Sequence, residues 1–306
     1  MHSYHNSCIS VLFYPCIIYS QERIVAYMKP FYEAINPDIS FQVEKVYNLN
    51  FPPHWHNEIE LFYVCSGHIK LGIEDRSYEL HSGDLLIINS GAIHYYDKTD
   101  NDSVAIIIIF DPSRILSINK WPKDLWLISD VSTREQLNNL SPSLAKRLPD
   151  LISEIEHEYA TSDSYANLII MGKLTELSGL LLRHFYIKKG DSSSSRRKNS
   201  SEDIKQALLY IQENFTEPLT LEAVASYVGF SRYYFSRIFR QYVGMPFKEY
   251  LNFIRISHAQ LLLDAREDTI ADICYKCGFN SIRTFNRVYQ NFHHKPPSKD
   301  RHSATP

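Results

Sequence analysis

The sequence predicts a two-domain α+β chain. A front half of short strands closes into a sandwich or barrel with flanking helices. An all-α back half holds two helix-turn-helix units joined by a linker helix. Three observations carry this prediction: strand-like runs separated by turns over about 39–110, a switch to helical periodicity near residue 142, and an internal repeat near the carboxy terminus. At 306 residues the chain has room for two domains of roughly 100–200 residues each.

The strand region comes first. Ile39–Val46 alternates apolar and polar residues, and Ile59–Cys65, Leu85–Ile88 and Val104–Phe110 are β-branched or aromatic runs. Ser66-Gly67, Ser82-Gly83, Ser90-Gly91 and Asp100–Asp102 punctuate them, the pattern of many short strands folded on one another. Helices follow. Ile170, Leu174, Leu177, Leu181 and Phe185 repeat at the spacing of one helix face, and a second helix over about Leu144–Tyr159 precedes it. The pair suits either dimerisation or covering of the barrel. The stretch 190–200, with its serines and its Arg196-Arg197-Lys198, has nothing to bury and is expected to be a flexible linker.

The repeat aligns Gly229 with Gly278, 49 residues apart. Ala225-Ser-Tyr-Val-Gly-Phe-Ser and Cys274-Tyr-Lys-Cys-Gly-Phe-Asn each lead into Phe-polar-Arg-aliphatic-aromatic, with one extra residue in the second copy, and each is followed by a proline (Pro246, Pro296). A duplicated helix-turn-helix accounts for this. Thr220 and Thr269 are expected to cap the first helix of each unit, Thr269 with Asp272 as a capping box, and Ser231 and Asn280 to cap the second. Phe235, Ile238, Phe239 and Tyr242 in one copy, and Phe285, Val288, Tyr289 and Phe292 in the other, form the expected buried stripes. The opposite faces carry Arg232, Tyr233, Ser236, Arg237 and Arg240, then Ser281, Arg283, Thr284, Asn286 and Arg287, with no acid in either helix. Such side chains grip phosphates and read base edges. Between the copies, Pro246–Leu263 is expected to form a strut of roughly 27 Å at 1.5 Å per residue, presenting Phe247, Tyr250, Leu251, Ile254, His258, Leu261 and Leu262 on one face.

Charge agrees with this division. The net charge is −3, yet residues from Asp191 onward hold 16 basic and 12 acidic side chains while 1–190 hold 16 and 23. A basic back half behind an acidic front half suits contact of the back half alone with phosphate. Five cysteines (8, 16, 65, 274 and 277) make no disulfide framework, and no apolar run reaches the roughly 18 residues that span a bilayer. The chain is expected to be cytoplasmic and without a membrane segment. Met28-Lys-Pro-Phe-Tyr resembles a natural start, so 1–27 is expected to be an upstream extension. Cys274 and Cys277 align with the core-facing Ala225 and Val228, so their CxxC spacing is expected to be buried packing rather than a metal or redox site.

Residues from about 202 to 301, with the Gly-Phe-Ser and Phe-x-Arg signatures and the following prolines, resemble the DNA-binding domain of the AraC/XylS family of transcription regulators. His294 departs from the pattern, standing where the first copy has Gly244, so the second exit turn is expected to differ. The resemblance implies double-stranded DNA, RNA polymerase and a second copy of the chain as partners, an activator or repressor role, and no enzymatic activity.

The front half carries its own signature. His54-x-His56-x3-Glu60-x6-Gly67, and later Gly83-x5-Asn89-x4-His94, resemble the two cupin motifs, with Asn89 where proline is common and Asp97 where Asn is common. On one strand His54, His56 and Glu60 share a face by the period of two, and His94 on a neighbouring strand converges with them. Tyr96 shares the inward parity of His94, whereas Trp55 and Tyr63 point outside the barrel. Three imidazoles and a carboxylate suit a divalent transition metal. In regulators of this type the same framework usually receives a small organic effector, often a sugar, without a metal. The expectation is therefore effector binding by His54, His56, Glu60, His94 and Tyr96, with no cofactor. The alternative is a metal site at His54, His56, Glu60 and His94, serving either a metal-responsive regulator or a cupin enzyme. His54 and Glu60 as a simple structural pair is the third option. The resulting division is an extension over 1–27, a sensor and dimerisation domain over 28–189, a linker over 190–200 and a DNA-binding domain over 201–306.

Overall fold

The computed structural model describes residues 40–97, 102–115, 125–127, 136–137, 139, 141–161, 163–188, 195–265 and 268–302. The expected extension over 1–27 lies outside them.

Eight strands build the front half: β1 Phe41–Tyr47, β2 Phe51–His54, β3 Ile59–Ser66, β4 His68–Ile73, β5 Arg76–His81, β6 Leu85–Ile88, β7 His94–Asp97 and β8 Val104–Phe110. They form two antiparallel four-stranded sheets ordered β1-β8-β3-β6 and β2-β7-β4-β5. Between the sheets lie Phe51, Phe62, Val64, Leu71, Leu80, Leu86, Ile88, Tyr96 and Ile107, all buried. A cupin-type barrel has this layout, with alternate residues of each strand turned inward.

The outer face of the first sheet is covered by helices. After a short α1 (Pro112–Ile115), a two-stranded ribbon pairs β9 (Leu125–Leu127) with β10 (Tyr186–Lys188), and between these strands run α2 (Pro142–Thr161) and α3 (Ala166–His184). Leu144, Leu148, Leu151, Ile152 and Ile155 of α2 pack with Ile170, Leu174, Leu177, Leu181 and the following Phe185 against Val43, Leu61, Ile87 and Ile108 of the sheet. Thus β3 and β8 are apolar on both faces, which explains why Val104–Phe110 reads as a continuous apolar run rather than an alternation.

The back half is helical: α4 Ser195–Asn214, α5 Leu221–Tyr227, α6 Arg232–Val243, α7 Phe247–Ala265, α8 Ile270–Lys276, α9 Ile282–His293 and α10 Pro297–His302. Each unit has its own core, one around Phe235, Phe239 and Tyr250, the other around Phe285, Tyr289 and Ile273. Cys274 and Cys277 are buried in the second core, as their alignment predicts, and burial together with the neighbouring Cys274 pushes the Cys277 thiol up to about 12.

Several local expectations are corrected. Helix α4 begins at Ser195, so the segment read as linker from 195 to 200 is helical; Arg196, Arg197 and Lys198 are good helix formers. Thr220, Ser231 and Thr269 cap as expected, the last with a full capping box, but the cap of α9 is Ser281 rather than Asn280. The extra residue in the second copy moves the cap one place along. Phe292 keeps 37% of its surface exposed, against Phe253 at 6.1 Å. In α7 both His258 and Leu261 are exposed, because that helix packs on two units and buries Ile256, Ala259 and Leu263 instead. The second exit turn does not differ. His294 adopts the left-handed conformation at φ 56°, close to Gly244 at 77°.

Candidate sensor cluster and nucleic-acid interface

His54, His56, Glu60 and His94 converge inside the barrel, one ligand-type atom from each lying within 4.8 Å of the others, and all four are buried. The route differs from a shared strand face. His54 ends β2, Glu60 lies at the start of β3 in the opposite sheet, and His56 sits in the turn between them. His94 opens β7 directly across from His54, with their rings 3.9 Å apart. Two sheets closing on one another bring the four together.

The imidazole nitrogens are fixed by neighbours. His54 Nδ1 donates to the Pro52 carbonyl at 2.9 Å, and His94 Nδ1 donates to the Ala92 carbonyl at 3.0 Å. A carbonyl only accepts, so each Nδ1 carries hydrogen and each Nε2 is the atom turned toward the cluster. His56 Nε2 lies 3.0 Å from Glu60 Oε2, and His94 Nε2 lies 3.2 Å from the same oxygen. The Tyr96 hydroxyl donates to Glu60 Oε1. His56 and His94 therefore both lie against the Glu60 carboxylate.

Electrostatics oppose one another here. Burial raises the Glu60 carboxyl, but His94 and His56 outweigh it and hold the group below the usual carboxylate range. Burial, followed by the His94 charge, pushes His54 well below its ordinary value and keeps it neutral. His56 Nδ1 and His94 Nε2 are buried and make no well-aligned hydrogen bond, their carboxylate neighbours being Glu58 Oε2 at 3.7 Å and Glu60 Oε2 at 3.2 Å, an arrangement that native interiors usually improve on. A cation held by His54, His56, Glu60 and His94 would satisfy that deficit, so the donor set fits a divalent transition metal.

The second candidate surface lies on α6 and α9. Arg232, Tyr233, Ser236, Arg237 and Arg240 are exposed on α6, opposite the buried Phe235, Ile238, Phe239 and Tyr242. Arg232 pairs with Glu222 of α5 at 2.7 Å, and the Arg237 guanidinium lies 5.5 Å from the Tyr234 ring centre. On α9, Arg283, Thr284, Asn286 and Arg287 are exposed, opposite Phe285, Val288 and Tyr289.

Comparison with known proteins bears directly on both surfaces. A family model described as a helix-turn-helix domain matches residues 224–303, and one described as a cupin domain matches 48–110. The HTH-type transcriptional activator RhaR of Klebsiella pneumoniae subsp. pneumoniae is 29% identical over 239 residues, covering 78% of this chain and 83% of its own. RhaR of Shigella dysenteriae serotype 1 is 29% identical over 255 residues, covering 82% and 87%. The chain thus carries an AraC-type helix-turn-helix domain and a cupin domain, and is homologous to the activator RhaR. Among solved structures, the C-terminal domain of AraT, a response regulator from Geobacillus stearothermophilus, is 30% identical over 34% of this chain and 87% of that one, with a TM-score of 0.33. This pair of domains is consistent with a DNA-binding transcription regulator, and the relatives are transcriptional activators rather than enzymes.

Two features of α6 and α9 escaped sequence reasoning. Gln290 continues the exposed row of Arg283, Asn286 and Arg287 by one turn and occupies the repeat position of Arg240, so aligning the copies through their last turn would have found it. Ser281 is half-buried and its hydroxyl accepts from the Thr284 amide, so its role in the structure is to cap α9. Trp55 lies outside the barrel as parity predicted, but against the helices of the first unit rather than in solvent.

Proposed function

We propose that this regulator reads its effector at the buried His54/His56/Glu60/His94 cluster, with Tyr96 against Glu60, and converts occupancy into altered DNA binding by α6 and α9. The observation that carries the reading is the convergence of four metal-type ligand atoms within 4.8 Å in a buried site where two imidazole nitrogens make no well-aligned hydrogen bond. That convergence favours a divalent transition-metal ion, either as the signal itself or as the ion through which a small hydroxylated metabolite is held. When bound, such an ion supplies positive charge and open coordination positions. Glu60, already kept anionic by its neighbours, supplies the compensating charge.

The DNA reading rests on two acid-free helix faces of Arg, Asn, Ser and Thr, carried at either end of the α7 strut. Activation, as in the relatives named activators, is proposed for this chain too, with RNA polymerase as the partner. A second copy of the chain is proposed to pair through α3, whose outer side exposes Leu168 and Ile169 beside Tyr165. The sensor is assigned to 28–189 and the DNA-binding domain to 201–306.

The test uses the full chain. Elemental analysis and calorimetric titration with Zn2+ and Mn2+ are followed by DNA anisotropy titration with and without the ion. Stoichiometric binding lost in Glu60→Gln, together with a metal-dependent DNA affinity, supports the reading. A protein that stays metal-free, and whose DNA affinity responds instead to sugars, overturns the metal half of it.

A further inference from the structure

The sensor barrel touches the first helix-turn-helix unit along a seam built from β2, β4 and β7 on one side and α4 and α6 on the other. Trp55 and Ile93 leave the barrel and join Ile204, Ala207 and Leu208 of α4 in the core of the first unit. Lys205 lies over the Trp55 ring at 5.9 Å. Glu74, in the β4–β5 turn, accepts hydrogen bonds from the Ile93 amide and from the Ser201 hydroxyl, both at 2.9 Å. Gln241 of α6 donates to the Asp75 carbonyl at 3.2 Å.

The Tyr95 ring is the tightest part of the seam. It fills the space beside Gly72 of β4 on one side and Gly244, the cap of α6, on the other; a Cβ at Gly244 would meet the ring at 2.5 Å. The internal repeat supplies a control for that glycine. His294 holds the equivalent position in the second unit with the same left-handed backbone and a full side chain. The turn by itself therefore tolerates a side chain, although glycine adopts it at less cost. At Gly244 it is the Tyr95 ring that leaves no room for one.

We propose that Tyr95, Trp55 and Ile93 latch the first helix-turn-helix unit to the sensor, and that through them the state of the cluster governs DNA binding by that unit. In sequence the latch residues alternate with the cluster: His54, Trp55, His56 along one segment, and Ile93, His94, Tyr95, Tyr96 along the other. Neighbouring side chains of an extended segment face opposite ways, so a shift that reseats His54 or His94 moves Trp55, Ile93 and Tyr95 on the far side. Packed interfaces switch between discrete arrangements more readily than they deform, which lets a small displacement at the cluster release or tighten the seam. The transmission step rests on the reading of the cluster as the effector seat; the latch itself does not.

The experiment separates the two. Full-length wild type, Tyr95→Ala, Tyr95→Phe and Gly244→Ala are titrated onto a duplex that the wild-type chain selects from a random library, in metal-free buffer and with Zn2+. Hydrogen exchange of residues 241–244 is followed in the same samples, and thermal unfolding checks that each variant folds. The latch predicts that Tyr95→Ala and Gly244→Ala change metal-free affinity by about five-fold or more. Exchange at 241–244 is expected to accelerate about ten-fold in both. Tyr95→Phe, which keeps the ring, is expected to stay within about two-fold of wild type. Folded Tyr95→Ala with wild-type affinity and wild-type exchange overturns the latch. Zn2+ binding that leaves 241–244 exchange unchanged in wild type overturns the transmission. Absence of Zn2+ binding alongside the Tyr95→Ala effect overturns the metal reading and supports the latch.

Discussion

Glu74 and Arg237 are the single side chains at which the proposed seam and the proposed DNA contact can be tested. Burial raises the Glu74 carboxyl above its ordinary range, against the hydrogen bonds from Ser201 and Ile93 and the charge of Lys205, with Asp75 adding to the rise. A carboxyl raised on folding contributes stability that is fully present below the unfolded value and lost as pH rises through the folded value. The seam is therefore expected to be firmest in mild acid and to loosen toward neutrality. Glu74→Gln keeps the accepting oxygen and removes the charge, so unfolding midpoints measured from pH 4.5 to 7.5 should fall less steeply in the variant. An identical pH profile would sink the assignment. At Arg237 the guanidinium beside Tyr234 is presented on the exposed face of α6. Arg237→Ala is expected to weaken binding to a selected duplex by about 1–3 kcal/mol, with much less loss on random duplex, as anisotropy would show.

At the scale of elements, the helices over the barrel and those of the second unit depend on close packing. Leu174 of α3 is fully buried between α2 and the β1-β8-β3-β6 sheet. Truncation of such a leucine leaves a cavity, so Leu174→Ala is expected to cost about 2–5 kcal/mol in the urea unfolding of the sensor half. A loss below 1 kcal/mol would mean that the helices can collapse onto the sheet. Cys274 and Cys277 close the end of α8 with no exposed surface, and burial raises both thiols. Thiolate is the reactive form, so iodoacetamide is expected to leave both unmodified in folded protein and to label both in urea, which peptide mass spectrometry would report. Labelling at native rates would reopen a redox role for the pair.

Across the whole molecule, charge and register divide the labour. With an acidic front half and a basic back half, any salt-sensitive DNA affinity is expected to reside in the helix-turn-helix units. Each phosphate contact contributes about 0.9 to the slope of log affinity against log salt, so Arg240→Ala should lower that slope by about one if its guanidinium grips a phosphate. An unchanged slope would move Arg240 off the DNA backbone.

The helix-turn-helix repeat was legible in the sequence, apart from its second recognition-helix cap and exit turn, because its signals are local: threonine and serine caps, glycine turns, apolar residues at helical spacing. Where local patterns misled, a neighbour outside the pattern intervened. Phe292 stays partly open where a stripe predicted burial, and α7 turns a different face inward because two units compete for it. The metal-type residues were also legible as a set, through their spacing. Their convergence was expected as well, but by another route: it comes from two sheets meeting across the His56 turn rather than from parity along one strand.

By itself, then, the sequence determined that this chain pairs a cupin-like barrel with a duplicated helix-turn-helix unit, since caps, turns and periodicity act over a few residues. Only the tertiary structure decided that Glu60 gathers two histidines and Tyr96, and that Tyr95 seats against Gly244 149 residues away. Those contacts join segments whose local preferences carry no information about one another, and the closed barrel packed on α4 and α6 is what brings them together.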